Sequence, residues 1–331
     1  MRRRDFIKAF AGSATAWPLA SRAQQADRVR RIGVLYGSAP NAEEGMAPDM
    51  LRLFRQAMGK AGWVEGKNVV VDYRFSAGDL AGIEADADEL VSLRPDLIYV
   101  IGLPPAQAVS RKTRTIPIVF TRTGDPVRFG LVASLNHPGG NVTGFTVWDF
   151  SIGGKWMQLL LQIAPHLRRV GIIYNPDTAA YAPPLITSAK AAAGSGVAVI
   201  EYQTHNDNDI EAATSSLGQE SNNGLLVIPE PFTVSRIDQI IRLAARFRLP
   251  TLVSLGGATK RGALISYGYS FEASIQEPVS YIDRILKGAS PSDLPVQAPD
   301  KYQLSINLKT AKALELAVPP SLLAIADEVI E

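Results

Sequence analysis

The sequence predicts an α/β protein of two Rossmann-like lobes, each built on a parallel sheet, joined by a hinge that the chain crosses more than once. Three observations carry this. From Arg30 onward, short apolar runs alternate with helical patterns, the grammar of βα units. That grammar is written twice. "RRIGVLY" at Arg30 returns as "RRVGIIY" at Arg168, "DLIYVIGLPPA" as "GLLVIPEPF", and "TIPIVFT" as "RLPTLVS", at offsets of 138, about 128 and 133. The 331 residues also exceed what one core usually serves, since beyond about 250–300 residues chains split into domains.

Each element follows from its pattern. Ile32 to Tyr36 reads as a buried strand, and Leu51, Phe54, Met58 and Ala61 then recur at helical spacing. Val69, Val71, Tyr73 and Phe75 alternate as a second strand. Leu97 to Val100 gives a third and Ile116 to Phe120 a fourth, with Pro117 near its start, where a strand tolerates proline. "HPGGNVTGFT" at 137–146 breaks helix and strand alike and is expected to be the first crossing between lobes.

The second half predicts strands at Val170–Tyr174, Val197–Tyr202 and Leu225–Ile228, and helices over 178–193 and 207–217. A helix face at Val234, Ile237, Ile241 and Ala244 precedes "LPTLVS". After "GALISYGYS" a helical run through Ile275, Ile282, Ile285 and Leu286 contains Pro278, a helix start or a kink. The polar connector "SPSDLPVQAPDKY" leads to a strand at Leu304–Ile306 and a final helix pair. Lobe one is thus expected at 28–143 with about 269–301, and lobe two at 144–268 with about 302–331. Several crossings make a hinge that closes rather than tumbles.

The first 23 residues stand apart. A basic start, a modestly apolar middle from Ala9 to Ala20, and small residues at Ser21 and Ala23 form an export signal, with cleavage expected after Ala23. Arg3-Arg4-Asp5-Phe6-Ile7-Lys8 is similar to the twin-arginine export motif. The segment holds five basic residues against Asp5, so the formal +2 of the chain becomes about −2 without it. No basic excess remains to attract nucleic acid. Cysteine is absent, which excludes disulfides and cysteine-linked lipids. No later apolar run approaches membrane-spanning length, so no direct membrane insertion is expected.

A search for catalytic chemistry finds little. His137, His166 and His205 have no metal-site spacing, and without cysteine no metal or other cofactor is expected. G-x-S-x-G, a P-loop and G-x-G-x-x-G after the first strand are all missing. What stands out is the set of turns after the strands, where parallel sheets bind ligands. These offer Tyr36, Ser38, Gly102, Leu103, Pro104, Thr121, Arg122, Thr123 and Asp125 from the first half, and Tyr174, Asn175, Glu230, Phe232 and Ser254 from the second. Trp148 and Asp149, at the crossing, and Tyr267 complete the ligand-binding set. Hydroxyls, an amide, acids, an arginine and aromatics together suit a small molecule with a polar head and an apolar body.

With an export signal and two α/β lobes in hand, the chain resembles the substrate-binding proteins of ABC transporters. Within them it is similar to the family of type I periplasmic binding fold that includes binders of aromatic amino acids. "GWVEGKNV" (62–69), "SLNHPGGNVTGF" (134–145), "GGKW" (153–156), "YIDRILKG" (281–288), "INLKTAKAL" (306–314) and "VPPSLLAIADEVIE" (318–331) carry the likeness over nearly the whole mature chain. The resemblance implies capture of a small solute in the periplasm and delivery to a permease in the inner membrane. Leu103 departs from the small hydroxyl residue common at its place, and Glu315 stands where glycine is usual.

The expected mechanism is closure on a small carboxylate-bearing ligand, an amino acid or an aromatic or aliphatic acid. Ser38, Thr121, Thr123 and backbone near Gly102 would hold the anionic head, with Tyr174, Asn175, Glu230 and Trp148 or Phe232 over the rest. Glu230 and Asp149 are candidates for an ammonium group; if neither reaches the cleft, an amine-free acid with Arg122 as charge partner is favoured. A periplasmic sensor feeding a signalling receptor, and an exported enzyme on the same scaffold, are the alternatives.

Overall fold

Near-continuous apolar runs become strands buried on both faces, as parallel sheets require. The computed structural model describes residues 28–38, 46–147 and 149–331, so the expected export signal lies outside the described residues. Strands β1 (Arg30–Tyr36), β2 (Val69–Phe75), β3 (Leu97–Ile101), β4 (Ile118–Thr123) and β5 (Val142–Thr146) form a parallel sheet in the order β2-β1-β3-β4-β5. Its first three connecting helices are α1 (Met46–Lys60), α2 (Leu80–Ser92) and α3 (Leu103–Lys112).

The second sheet repeats this layout. Strands β6 (Arg169–Tyr174), β7 (Ala198–Gln203), β8 (Asn223–Val227), β9 (Thr251–Val253) and β10 (Ile265–Gly268) run parallel in the order β7-β6-β8-β9-β10, which is the first sheet's order strand for strand. Helices α4 (Ile152–Ile163), α5 (Ala182–Ala193), α6 (Asp207–Leu217), α7 (Pro231–Ser235) and α8 (Ile237–Arg246) flank it.

The duplication reaches into packing. Gly33 in β1 and Gly171 in β6 occupy matching places, and each receives a leucine from the helix after the neighbouring strand. A Cβ on Gly33 would meet Leu90 at 3.2 Å, and one on Gly171 would meet Leu217 at 2.5 Å. Both strands need glycine there so that the covering helix can approach closely.

Four details differ from expectation. "HPGGNVTGFT" is not a crossing, because its second half is β5, held between β4 and the returning chain at Gln297. The predicted helix at 178 begins only at Ala182, since Pro183 and Pro184 suit a first turn. The helix read through Val234 splits at Arg236 into α7 and α8. The second sheet is also not wholly parallel. β11 (Gln303–Asn307) pairs antiparallel with β10 because it arrives from the hinge rather than over a crossover helix, and β12 (Glu328–Ile330) then pairs parallel with β11.

The chain passes between the sheets three times, at about 147–151, 269–270 and 298–302. After β10 it returns to the first sheet as α9 (Phe271–Gln276) and α10 (Pro278–Leu286), which pack on α1, β3, β4 and β5. Pro278 sits in the first turn of α10 and so starts a helix rather than kinking one. Trp63 Nε1 donates to Asp283 at 2.9 Å, and Thr146 N donates to Gln297 O at 2.8 Å, fixing the returned segment. The final helices α11 (Leu308–Ala313) and α12 (Pro320–Ile325) follow β11. Glu315, where the resemblance implies glycine, has φ of +59°, a conformation that favours glycine. Among the described residues no helix is long and apolar enough to cross a membrane.

Candidate functional site

In each sheet the strand order reverses beside the first strand of its half, so successive helices cover opposite faces. Such switch points leave a crevice outside the carboxyl ends of the strands. Here they fall between β1 and β3 and between β6 and β8, and the two crevices face one another.

A cavity of about 20 Å³ lies at their junction. Lobe one lines it with Tyr36, Ser38, Ile101, Gly102 and Arg122. Lobe two contributes Tyr181, Pro229, Glu230, Pro231 and Val234. The space suits about one water, because the lobes touch. A Cβ on Gly37 would meet Pro231 at 3.1 Å, and one on Gly78 would meet the Phe232 Cα at 2.7 Å. Gly78 also has φ of +77°, so both its backbone and its surroundings demand glycine.

Arg122 is the charged group that lobe one brings here. It is half-buried near the end of β4, at φ of +55°, where the β4–β5 register shifts between Phe120 and Thr123. Its guanidinium lies 5.6 Å from the Phe271 ring centroid, and Nη1 donates to Ser274 Oγ at a long 3.5 Å. Among the described residues no carboxylate pairs with it. Three tyrosines from both lobes sense its charge. Burial pushes the hydroxyls of Tyr36, Tyr99 and Tyr181 upward from the usual tyrosine value, and Arg122 opposes this at each. The Tyr36 hydroxyl is buried and makes no hydrogen bond of good geometry, whereas Tyr181 donates to Pro229 O at 2.7 Å.

Glu230 reaches the cavity but serves α7. Its carboxylate caps the helix, accepting from Phe232 N at 2.7 Å and Thr233 N at 2.8 Å, and also from Thr178 Oγ1. It is 2% exposed. Burial raises its pKa, and the three donors hold it back.

Of the sequence-predicted ligand residues, Tyr36, Ser38, Gly102, Arg122 and Glu230 line this cavity. Asn175 and Phe232 line an adjoining one of about 250 Å³ between the lobes, with Gly78, His205 and Arg236. The rest line neither cavity among the described residues. Leu103 and Pro104 are buried in the first turn of α3. Thr121 Oγ1 donates to Ser274 O at 2.8 Å, and Thr123 Oγ1 to Thr121 O at 3.4 Å. Asp125 accepts from Arg128 N, and the exposed Asp149 from Ser151 N, both as turn caps. The Tyr174 hydroxyl donates to Glu201 at 2.9 Å, facing β7. Tyr267 packs on Tyr302 at 5.7 Å. Ser254 is buried beside Gly268 with no partner for its hydroxyl. Trp148 lies outside the described residues.

Sequence reasoning missed Tyr181, Ile101 and Val234. The signal for Tyr181 was Pro183-Pro184, which sets the helix start after it and leaves it in the loop over the crevice.

A larger cavity, about 820 Å³, lies between α1 and the β9–β12 side of the second sheet. It is away from both switch points, and each basic group in its lining is paired with an acid there. Arg52 pairs with Asp49 at 3.1 Å, Arg261 with Asp238 at 3.0 Å and Lys260 with Glu328 at 2.8 Å. The smaller cleft is therefore the candidate site.

Residues 49–330 match the sequence pattern of the family described as ABC transporter substrate binding protein. The chain belongs to that family. A tyrosine-binding protein of Clostridioides difficile (strain R20291) is 30% identical over 264 residues, 80% of this chain and 75% of the relative. An ABC domain in complex with L-Trp from Streptococcus pneumonia superposes with a TM-score of 0.81 at 23% identity, over 91% of this chain and 99% of that one. A ligand-free, open substrate-binding protein from Clostridium difficile gives 0.62 at 27% identity, over 91% and 99%. This ABC substrate-binding chain thus has the two-lobed type I periplasmic binding fold.

Proposed function

We propose that this substrate-binding protein captures a small carboxylate-bearing ligand in the periplasm, by closure of its two lobes, and delivers it to the permease of an ABC importer. The observation that carries the ligand class is Arg122. A half-buried guanidinium at the junction of two switch points, without a carboxylate partner among the described residues, suits an anionic head, since charge-assisted pairs with arginine are strong and directional. Tyr36 and Ser38 stand beside it with hydroxyls to share. Tyr181, Ile101 and Val234 offer an apolar surface for the ligand's body.

Closure is supported by the contacts themselves. A cavity of about 20 Å³ admits nothing the size of an amino acid, for benzene occupies an engineered cavity of about 150 Å³. Entry therefore requires the lobes to part, carrying Pro231 and Tyr181 away from Gly37 and Arg122. The chain superposes better on the L-Trp complex than on the open, ligand-free structure, although the open one is more similar in sequence. Such a difference fits lobes that move as bodies about the three crossings. Ligand contacts to both lobes then supply the preference for the closed state.

The test is titration calorimetry of the mature chain against small carboxylates and their amides. A carboxylate binding unchanged, and Arg122→Gln weakening it by about tenfold or more, supports the reading. Equal binding of acid and amide, or chemical conversion of the bound compound, defeats it.

A further inference from the structure

The acids around the cleft decide which carboxylates it accepts. An amino acid brings an ammonium as well as a carboxylate, and a buried ammonium needs an acid of its own. Glu230 is the acid that lines the cavity. Its two oxygens already accept three hydrogen bonds, from Phe232 N, Thr233 N and Thr178 Oγ1. Its oxygens are filled within lobe two, and moving it toward a ligand uncaps α7. Asp149 is exposed and holds Ser151 N at 2.7 Å. In the adjoining cavity Asp177 pairs with His205 at 3.1 Å, while Asp79 caps α2 through Ala81 N and Gly82 N. Among the described residues the acids around the cleft thus already accept hydrogen bonds, whereas the Arg122 guanidinium has no carboxylate partner.

We infer, resting on the carboxylate reading above, that the cleft selects carboxylic acids that lack an α-ammonium group, with Arg122 as their charge partner and an aromatic or branched aliphatic body against Tyr36, Tyr181 and Val234. An amine-free acid thus needs only the partner that the cleft has free, the Arg122 guanidinium. A zwitterion adds a cation that must either go unpaired or strip the cap from α7. Leu103, buried in the first turn of α3, adds no polar side chain at this strand end.

The experiment compares ligands that differ only in the amine, by calorimetry on the mature chain. The pairs are 3-phenylpropionate with L-phenylalanine, 3-(4-hydroxyphenyl)propionate with L-tyrosine, and 4-methylpentanoate with L-leucine. The amine-free member is expected to bind at least about tenfold more tightly. Glu230→Gln, which keeps an oxygen for the cap and removes the negative charge, is expected to tighten the amine-free acid. An amino acid that binds as well as its partner, or that loses about tenfold in Glu230→Gln, overturns this inference and leaves the Arg122–carboxylate pairing standing. Failure of every carboxylate in all three pairs overturns the pairing itself, and this inference with it.

Discussion

Gly78 offers the sharpest test of lobe closure, because the contact it makes is with backbone. In Gly78→Ala the new Cβ would stand 2.7 Å from the Phe232 Cα and 2.9 Å from its N, where ordinary contact begins at 3.4 Å. No rotamer relieves this, so the lobes must part by about 0.7 Å at that point. Overpacking of this kind costs about 1–3 kcal/mol. The cost falls on the closed state alone, so apparent affinity drops by the same factor, about tenfold to a hundredfold.

Backbone strain at φ of +77° adds about 1–2 kcal/mol, but open and closed forms bear it alike. Gly66→Ala isolates that part, for Gly66 has φ of +80° and an added Cβ there would meet nothing within 4 Å. Calorimetry with the tightest-binding carboxylate, and the radius of gyration by small-angle scattering with that ligand added to half-saturate the parent, read the outcome. The expected result is weakened binding and a larger radius in Gly78→Ala, with neither change in Gly66→Ala. Identical behaviour of the two variants would refute closure through this contact.

Three further outcomes are expected. Tyr181→Phe removes the donor to Pro229 O and lowers stability by about 1 kcal/mol, read by thermal melting. Burial raises the Glu230 pKa above its ordinary 4.5, so the folded chain holds that proton to higher pH than the unfolded chain does. Stability is then lost as pH rises from about 4.5 through the raised value, and denaturant melts across this window should show the loss in the parent but not in Glu230→Gln. Gly144→Ala would place a Cβ 2.1 Å from Phe120 O in the adjoining strand. It should destabilise the chain by about 3 kcal/mol, measured by urea unfolding.

How much of this was legible depended on what each residue answers to. The helix at 207–217 was read to the residue, because Asn206 and Asp209 form its capping box locally. The break at Pro278 was readable for the same reason. Thr121 and Arg122 show the opposite case. Both sit at the carboxyl end of β4, where parallel sheets bind ligands, yet one hydroxyl is spent on Ser274 O while the neighbouring guanidinium enters the cleft. A strand of period two cannot reveal which of them faces inward when a register shift and a positive φ intervene. Glu230 looked like a ligand acid by composition, and only its neighbours made it a cap.

The sequence by itself determined the two lobes, their repeated order of elements and the family, because buried apolar runs, helical periodicity and turn residues act over short stretches of chain. Which side chains share the seam was decided only by the tertiary structure. Tyr36 and Arg122 from two strand ends, and Tyr181 and Glu230 from two loops, are brought together by the meeting of the two sheets. Closeness across that seam depends on hinge geometry and backbone approach, which no local pattern encodes.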